Sequence, residues 1–127
     1  MRVHSAFAMA MMASFLAFAS GSAGIAQEAC AEPQVPAPVD GAQASEEQMR
    51  AAAAAARDFI ALSNVYQVCL ANAFNAARTQ AAADGKALDP SLETTLKSRT
   101  DANDKVKQKV GIEINIALDA YKQTHIK

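Results

Sequence analysis

Seam positions from Met49 to Ala77, apolar but for Ser63, recur at alternating steps of three and four: Met49, Ala52, Ala56, Phe59, Ser63, Tyr66, Leu70, Ala73 and Ala77. That is the spacing of one helix seam, about four heptads long. A second stripe runs beside it through Ala55, Leu62, Val65, Cys69 and Ala76. The start is signalled by Ser45-Glu46-Glu47-Gln48, a capping box in which the Ser oxygen takes the third helical N–H and Gln reaches back. Asp84-Gly85 supplies the stop. The first helix is therefore predicted over 45–83, about 57 Å long at 1.5 Å per residue.

A second helix is predicted over 90–123. Asp89-Pro90 places a capping side chain and a proline at the first helical position. Leu92, Leu96, Val106, Val110, Ile114, Ala117 and Tyr121 share one face, and Ile112, Ile116 and Leu118 widen it. Between Leu96 and Val106 the residues turn polar, so a bend or loosening is expected near 98–104. Gly111 is a weak point without being a terminator. The connection is short, which makes the helices antiparallel neighbours. Folding the chain about its middle pairs positions summing to roughly 171–173. Val106 then meets Tyr66, Val110 meets Leu62, Ile114 meets Phe59, Tyr121 meets Ala51–Ala52, and Arg99 falls opposite Asn72. The expected fold class is all-α: a long antiparallel hairpin.

Two segments precede it. Residues 1–26 have the anatomy of a secretory signal peptide. Arg2 is the basic end, Ala6 to Ala19 is apolar and uncharged, and Gly24-Ile25-Ala26 places small residues for cleavage after Ala26, with Ala23 the second choice. The apolar run is shorter than the ~20 residues of a membrane span, so no transmembrane segment is expected in the mature chain. Gln27, Glu28 and Ala29 do not suit lipidation at Cys30. Residues 27–44 form a different kind of segment. Pro33, Pro36, Pro38 and Asp40-Gly41 predict an extended arm ending in a turn.

Composition narrows the function classes. The chain has 127 residues, 51% hydrophobic, with no Trp, and about a quarter of it is Ala. That is room for one small domain. The formal charge of −1 offers no footprint for nucleic acid. Removing residues 1–26 leaves 101 residues with eleven basic and thirteen acidic side chains, a domain small enough to need a staple. No catalytic constellation, phosphate loop or metal-ligand cluster is present in the sequence. His125 stands alone in the mature chain. The expectation is a protein that is not an enzyme and carries no cofactor.

The two cysteines carry a geometric argument. Helix 1 rises about 37 Å from residue 44 to Cys69. The arm spans about 43 Å from Cys30 to residue 44 if it is polyproline-like. The arm can run back along the helix and join Cys30 to Cys69, with little slack. In an exporting compartment such a disulfide persists. A redox-active pair is disfavoured because neither Cys is in C-x-x-C; an intermolecular bridge is the other alternative.

Tyr66-Gln67-Val68-Cys69-Leu70 with the upstream Pro38-Val39-Asp40-Gly41 resembles a pattern in small exported helical proteins of Gram-negative bacteria. The resemblance covers residues 30–70. It differs in the Val between Pro and Asp. It implies a periplasmic location and disulfide logic, and it does not bear on function.

Three roles are compatible with these features. The leading one is a structural or protein-interaction module of the cell envelope. The second is a chaperone-like binder of apolar client segments. The third is a binder of anionic lipid or polyanion through the basic residues between Lys97 and Lys109. The candidate interaction surface comprises Ile112, Ile116, Lys105 and Lys109. Each helix carries more apolar positions than one seam uses. A C2 homodimer forming a four-helix bundle is therefore expected; a monomer would instead leave the Ile112–Ile116 edge for another protein partner.

Overall fold

A computed structural model describes residues 30–126; the leader expected over 1–26 lies outside them. Among the described residues there are two helices, α1 (Glu46–Ala83) and α2 (Pro90–His125). They pack against each other as an antiparallel hairpin.

Both helix starts are made by the local chemistry read from the sequence. The Gln48 N–H donates to Ser45 Oγ at 3.2 Å, and the Ser45 N–H donates to Gln48 Oε1 at 2.8 Å. Glu46 and Glu47 place negative charge on the positive end of the helix dipole. At the far end Lys86 N–H donates to the Ala81 carbonyl and Gly85 N–H to that of Ala82. This is a Schellman closure, in which Gly85 takes the left-handed φ of 64°. In α2, Asp89 Oδ1 accepts from the Ser91 N–H at 2.9 Å, with Pro90 following at the first helical position.

The arm is extended from Ala31 to Asp40 and turns at Asp40. Its Oδ1 accepts from the Ala42 N–H at 3.0 Å, and its carbonyl accepts from Gln43 and Ala44. Cys30 is bonded to Cys69 with their Cα atoms 5.8 Å apart. The arm thus lies along the hairpin from the middle of α1 to its beginning. Gly41 is seated so closely on α2 that a Cβ there would stand 1.8 Å from the Ala117 carbonyl oxygen. Only glycine permits that approach.

The core is a string of three small clusters. At the disulfide, Cys30 packs with Tyr66 and Leu70, joined by Leu96. In the middle, Ala56, Phe59 and Val110 are flanked by Ile60, Val106 and Ile114. At the arm's turn, Ala44, Met49 and Ala117 pack with Val39, Leu118 and Tyr121.

One expectation from the sequence holds and one is corrected here. The second helix is single and runs through 98–104 without interruption, from Pro90 to His125. In that stretch Arg99, Asn103 and Asp104 find partners across the hairpin, and Asp101 pairs with Lys97 along the helix. The register differs. Ile114 does share a cluster with Phe59, but Val106 joins Phe59 and Val110 instead of Tyr66. Tyr121 meets Met49, and Leu62 faces outward instead of meeting Val110. Arg99, expected opposite Asn72, donates to the Tyr66 hydroxyl. The hydrogen-bonded pairs across the hairpin thus sum to between 165, at Tyr66–Arg99, and 171, at Asn64–Lys107, at or below the expected 171–173.

Candidate functional site

Between the disulfide cluster and the Phe59 cluster the interface becomes polar. Ser63 and Asn103 are the buried polar residues of the described chain, at 0% and 2% exposure. Asn103 Nδ2 donates to Ser63 Oγ at 3.2 Å. Gln67 Nε2 donates to Asn103 Oδ1 at 3.0 Å and to Asp104 Oδ1 at 2.8 Å. Lys107 Nζ donates to Asn64 Oδ1 and pairs with Asp104, both at 3.0 Å. On the other side of the seam, Arg99 Nε donates to the Tyr66 hydroxyl at 2.9 Å, with the guanidinium 5.4 Å from the ring centroid. The Gln67 and Lys107 donors hold the Asp104 carboxyl below the usual carboxylate range.

These polar groups are used up on each other. A buried, satisfied network of this kind fixes which residues face each other, since a one-turn slip would break every one of its hydrogen bonds that crosses from one helix to the other. It is a registration device, and beside it Gln67, Leu96, Lys97 and Thr100 line an open groove of about 380 Å³. The gap between the arm and the two helices, lined by Pro36, Pro38, Ala52 and Val110, measures about 20 Å³, room for roughly one water.

The basic stretch on α2 is largely committed as well. Lys97 pairs with Asp101 at 2.7 Å, and that hydrogen bond and charge raise its pKa. Lys107 serves the network, and Lys109 stands 3.8 Å from Glu113. The proposed surface residues Lys105, Lys109, Ile112 and Ile116 are all exposed. Steps of four, three and four set them in one stripe on the outer side of α2.

A second exposed apolar edge lies on α1. Leu62, Val65 and Val68 are each more than half exposed. The seam spacing already marks Leu62 and Val65 as lying outside the α2-facing stripe; Val68 escaped notice because it sits next to Cys69 and belongs to neither stripe. Among the described residues no group of His, Cys, Asp and Glu is arranged to hold a metal. No helix there is long and apolar enough to cross a membrane. The disulfide places the chain in an oxidising setting. No protein-family model, curated protein or solved structure matches the chain.

Proposed function

We propose that the protein is a small exported interaction module of the cell envelope, non-enzymatic, held in one shape by its disulfide and presenting apolar edges to a protein partner. One observation carries this reading. The hairpin spends its polar side chains on internal registration and exposes Leu62, Val65, Val68, Ile112 and Ile116 on its outer edges. Scattered exposed apolar residues are ordinary, but these are aligned along helices that a covalent strap keeps rigid. Rigid presentation lowers the ordering cost of association. The leader read in residues 1–26 delivers the chain to the periplasm, where the disulfide forms.

Affinity capture from periplasmic extract tests this. The wild-type protein is expected to retain one stoichiometric partner, or its own second copy, which Ile112→Lys or Val68→Lys releases. Capture of many unfolded clients would replace the reading with chaperone-like binding. A second reading rests on the α2 stripe, where Lys105 and Lys109 adjoin Ile112 and Ile116. That combination suits an anionic lipid surface. Sedimentation with anionic vesicles that is abolished by added salt and by Lys105→Glu would establish it instead.

A further inference from the structure

The arm touches the hairpin along a single edge. Cys30 is buried, Pro33, Pro36 and Val39 are half-buried, and the residues between them are exposed. That is a period of three, the repeat of a polyproline-II chain, so one side of the arm faces the helices and the others face water. Among the described residues, no hydrogen bond or ion pair joins 31–39 to either helix.

The arm is therefore fastened at its two ends. At one end Gly41 is seated on Ala117, and Ala44 packs with Met49. At the other is the covalent bond from Cys30 to Cys69. Between them, holding Ala31, Glu32, Gln34, Val35, Ala37 and Val39 in one conformation costs chain entropy. Three half-buried side chains are all that offsets it. Beneath the arm, Ala52, Ala56, Val110 and Ile114 line an apolar trough, and Cys30 covers Tyr66 and Leu70.

We infer that the arm is a redox-released strap: reduction of Cys30–Cys69 frees residues 30–39 and uncovers the trough, while the hairpin beneath stays folded. The reductant is a dithiol. One of its thiolates attacks Cys69, the more exposed of the pair, and Cys30 leaves and takes a proton. The second thiolate then closes the reductant's own disulfide and leaves Cys69 as a thiol, so two electrons pass to the protein. What holds the hairpin does not include the arm. Asn103 with Ser63, Arg99 with Tyr66, and the Phe59–Val110 cluster all lie within α1 and α2. The two redox states thus differ in the apolar surface they show, and the outer edges of the helices are the same in both. The strap is independent of the interaction reading above.

The test is amide relaxation of the full chain, expressed with its leader and purified oxidised, before and after adding dithiothreitol at a temperature below both melting transitions. In the oxidised protein, order parameters of the six non-proline residues in 31–39 should stand near those of the helices, about 0.85; on reduction they should fall below ~0.6. Helix content should not change. A soluble nitroxide should broaden the methyl signals of Ala56 and Leu70, both buried in the oxidised form, only after reduction. Cys30→Ser with Cys69→Ser should show the released state without reductant, and reoxidation of the wild type should restore the closed one. An arm that stays rigid after reduction would overturn the inference, because its contacts alone would then hold it. Loss of helix content together with the arm would overturn it too, making the bond a staple of the whole fold and no strap. Capture of a partner by the oxidised protein is untouched by either result, so the interaction reading fails or stands separately.

Discussion

At the scale of the residue, two glycines separate close approach from helix propensity. A Cβ at Gly41 would collide with the Ala117 carbonyl, whereas one at Gly111 meets nothing within 4 Å. Gly41→Ala is expected to destabilise by roughly 1–3 kcal/mol, the usual range for overpacking. Gly111→Ala should stabilise by about 0.5–1 kcal/mol, because alanine loses less backbone entropy in a helix. Thermal denaturation of the two variants checks the opposed signs, and equal effects would contradict the close approach of the arm. Ionisable groups act at this scale as well. Hydrogen bonds hold Asp89, bonded by Ser91, and Asp104, bonded by Gln67 and Lys107, below the ordinary carboxylate value of 3.8. A carboxyl depressed in the folded state contributes stability that is present above its unfolded pKa and lost as pH falls through the folded one. Lys97, raised above 10.5 by Asp101, contributes stability below that value and loses it at higher pH. Urea midpoints should therefore stay level between about pH 5 and 9 as far as these groups are concerned, then decline below pH 4. Asp104→Asn should reduce the acid decline; an unchanged acid limb in that variant would contradict its role.

At the scale of the element, the polar network and the disulfide divide the labour of register and reach. Asn103→Leu leaves the Ser63 hydroxyl and one Gln67 donor without their partner in a buried layer, at an expected cost of about 1–3 kcal/mol. Ser63→Ala combined with Asn103→Leu should cost less than that single change, because an apolar layer replaces an orphaned one. The double variant should also lose discrimination between registers, seen as line broadening of residues 60–70 in amide spectra. Cys69→Ser removes a cross-link spanning 39 residues in sequence. The chain-entropy argument values such a loop at roughly 4 kcal/mol, and protease should then cleave within 31–39. An oxidised and a reduced protein of equal melting temperature would refute the staple. Much of this was legible in the sequence. Ser45, Gln48, Asp84, Gly85, Asp89 and Pro90 mark the helix ends because capping is local chemistry. The reach of the arm follows from rises per residue. The register was not legible to within a turn, since Ala-rich seams tolerate several alignments and apolar periodicity alone does not choose among them. What chooses is the pairing of Arg99 with Tyr66 and of Asn103 with Ser63, which only the assembled hairpin reveals. The edge at Val68 was hidden for a related reason: outward positions are defined only once the inward seam is known.

At the scale of the whole molecule, the candidate surface and the route of export are linked. The expected product of export begins at Gln27, three residues before the first cysteine. Intact-mass measurement of the protein recovered from the periplasm should therefore give residues 27–127 less the two hydrogens lost to the disulfide. Retention of Met1 in that fraction would defeat the signal-peptide reading. Little chain then protrudes ahead of the strap, and the outer edge of α1 around Leu62, Val65 and Val68 stays open for contact.

The disulfide also sets a mechanical path. Tension applied between the two ends of the chain enters at Cys30, crosses to Cys69 through the covalent bond, and continues along the last turns of α1 and the length of α2. Residues 31–68, which include the arm and most of α1, are bypassed and bear no load. Pulled as a tether, the protein would yield only its C-terminal half. Reduction would release a further 39 chain steps, about 130 Å of contour at ~3.4 Å each. An optical-trap record taken before and after adding a reductant should show that increment as a single added length, making the strap a stop against extension as well as a staple.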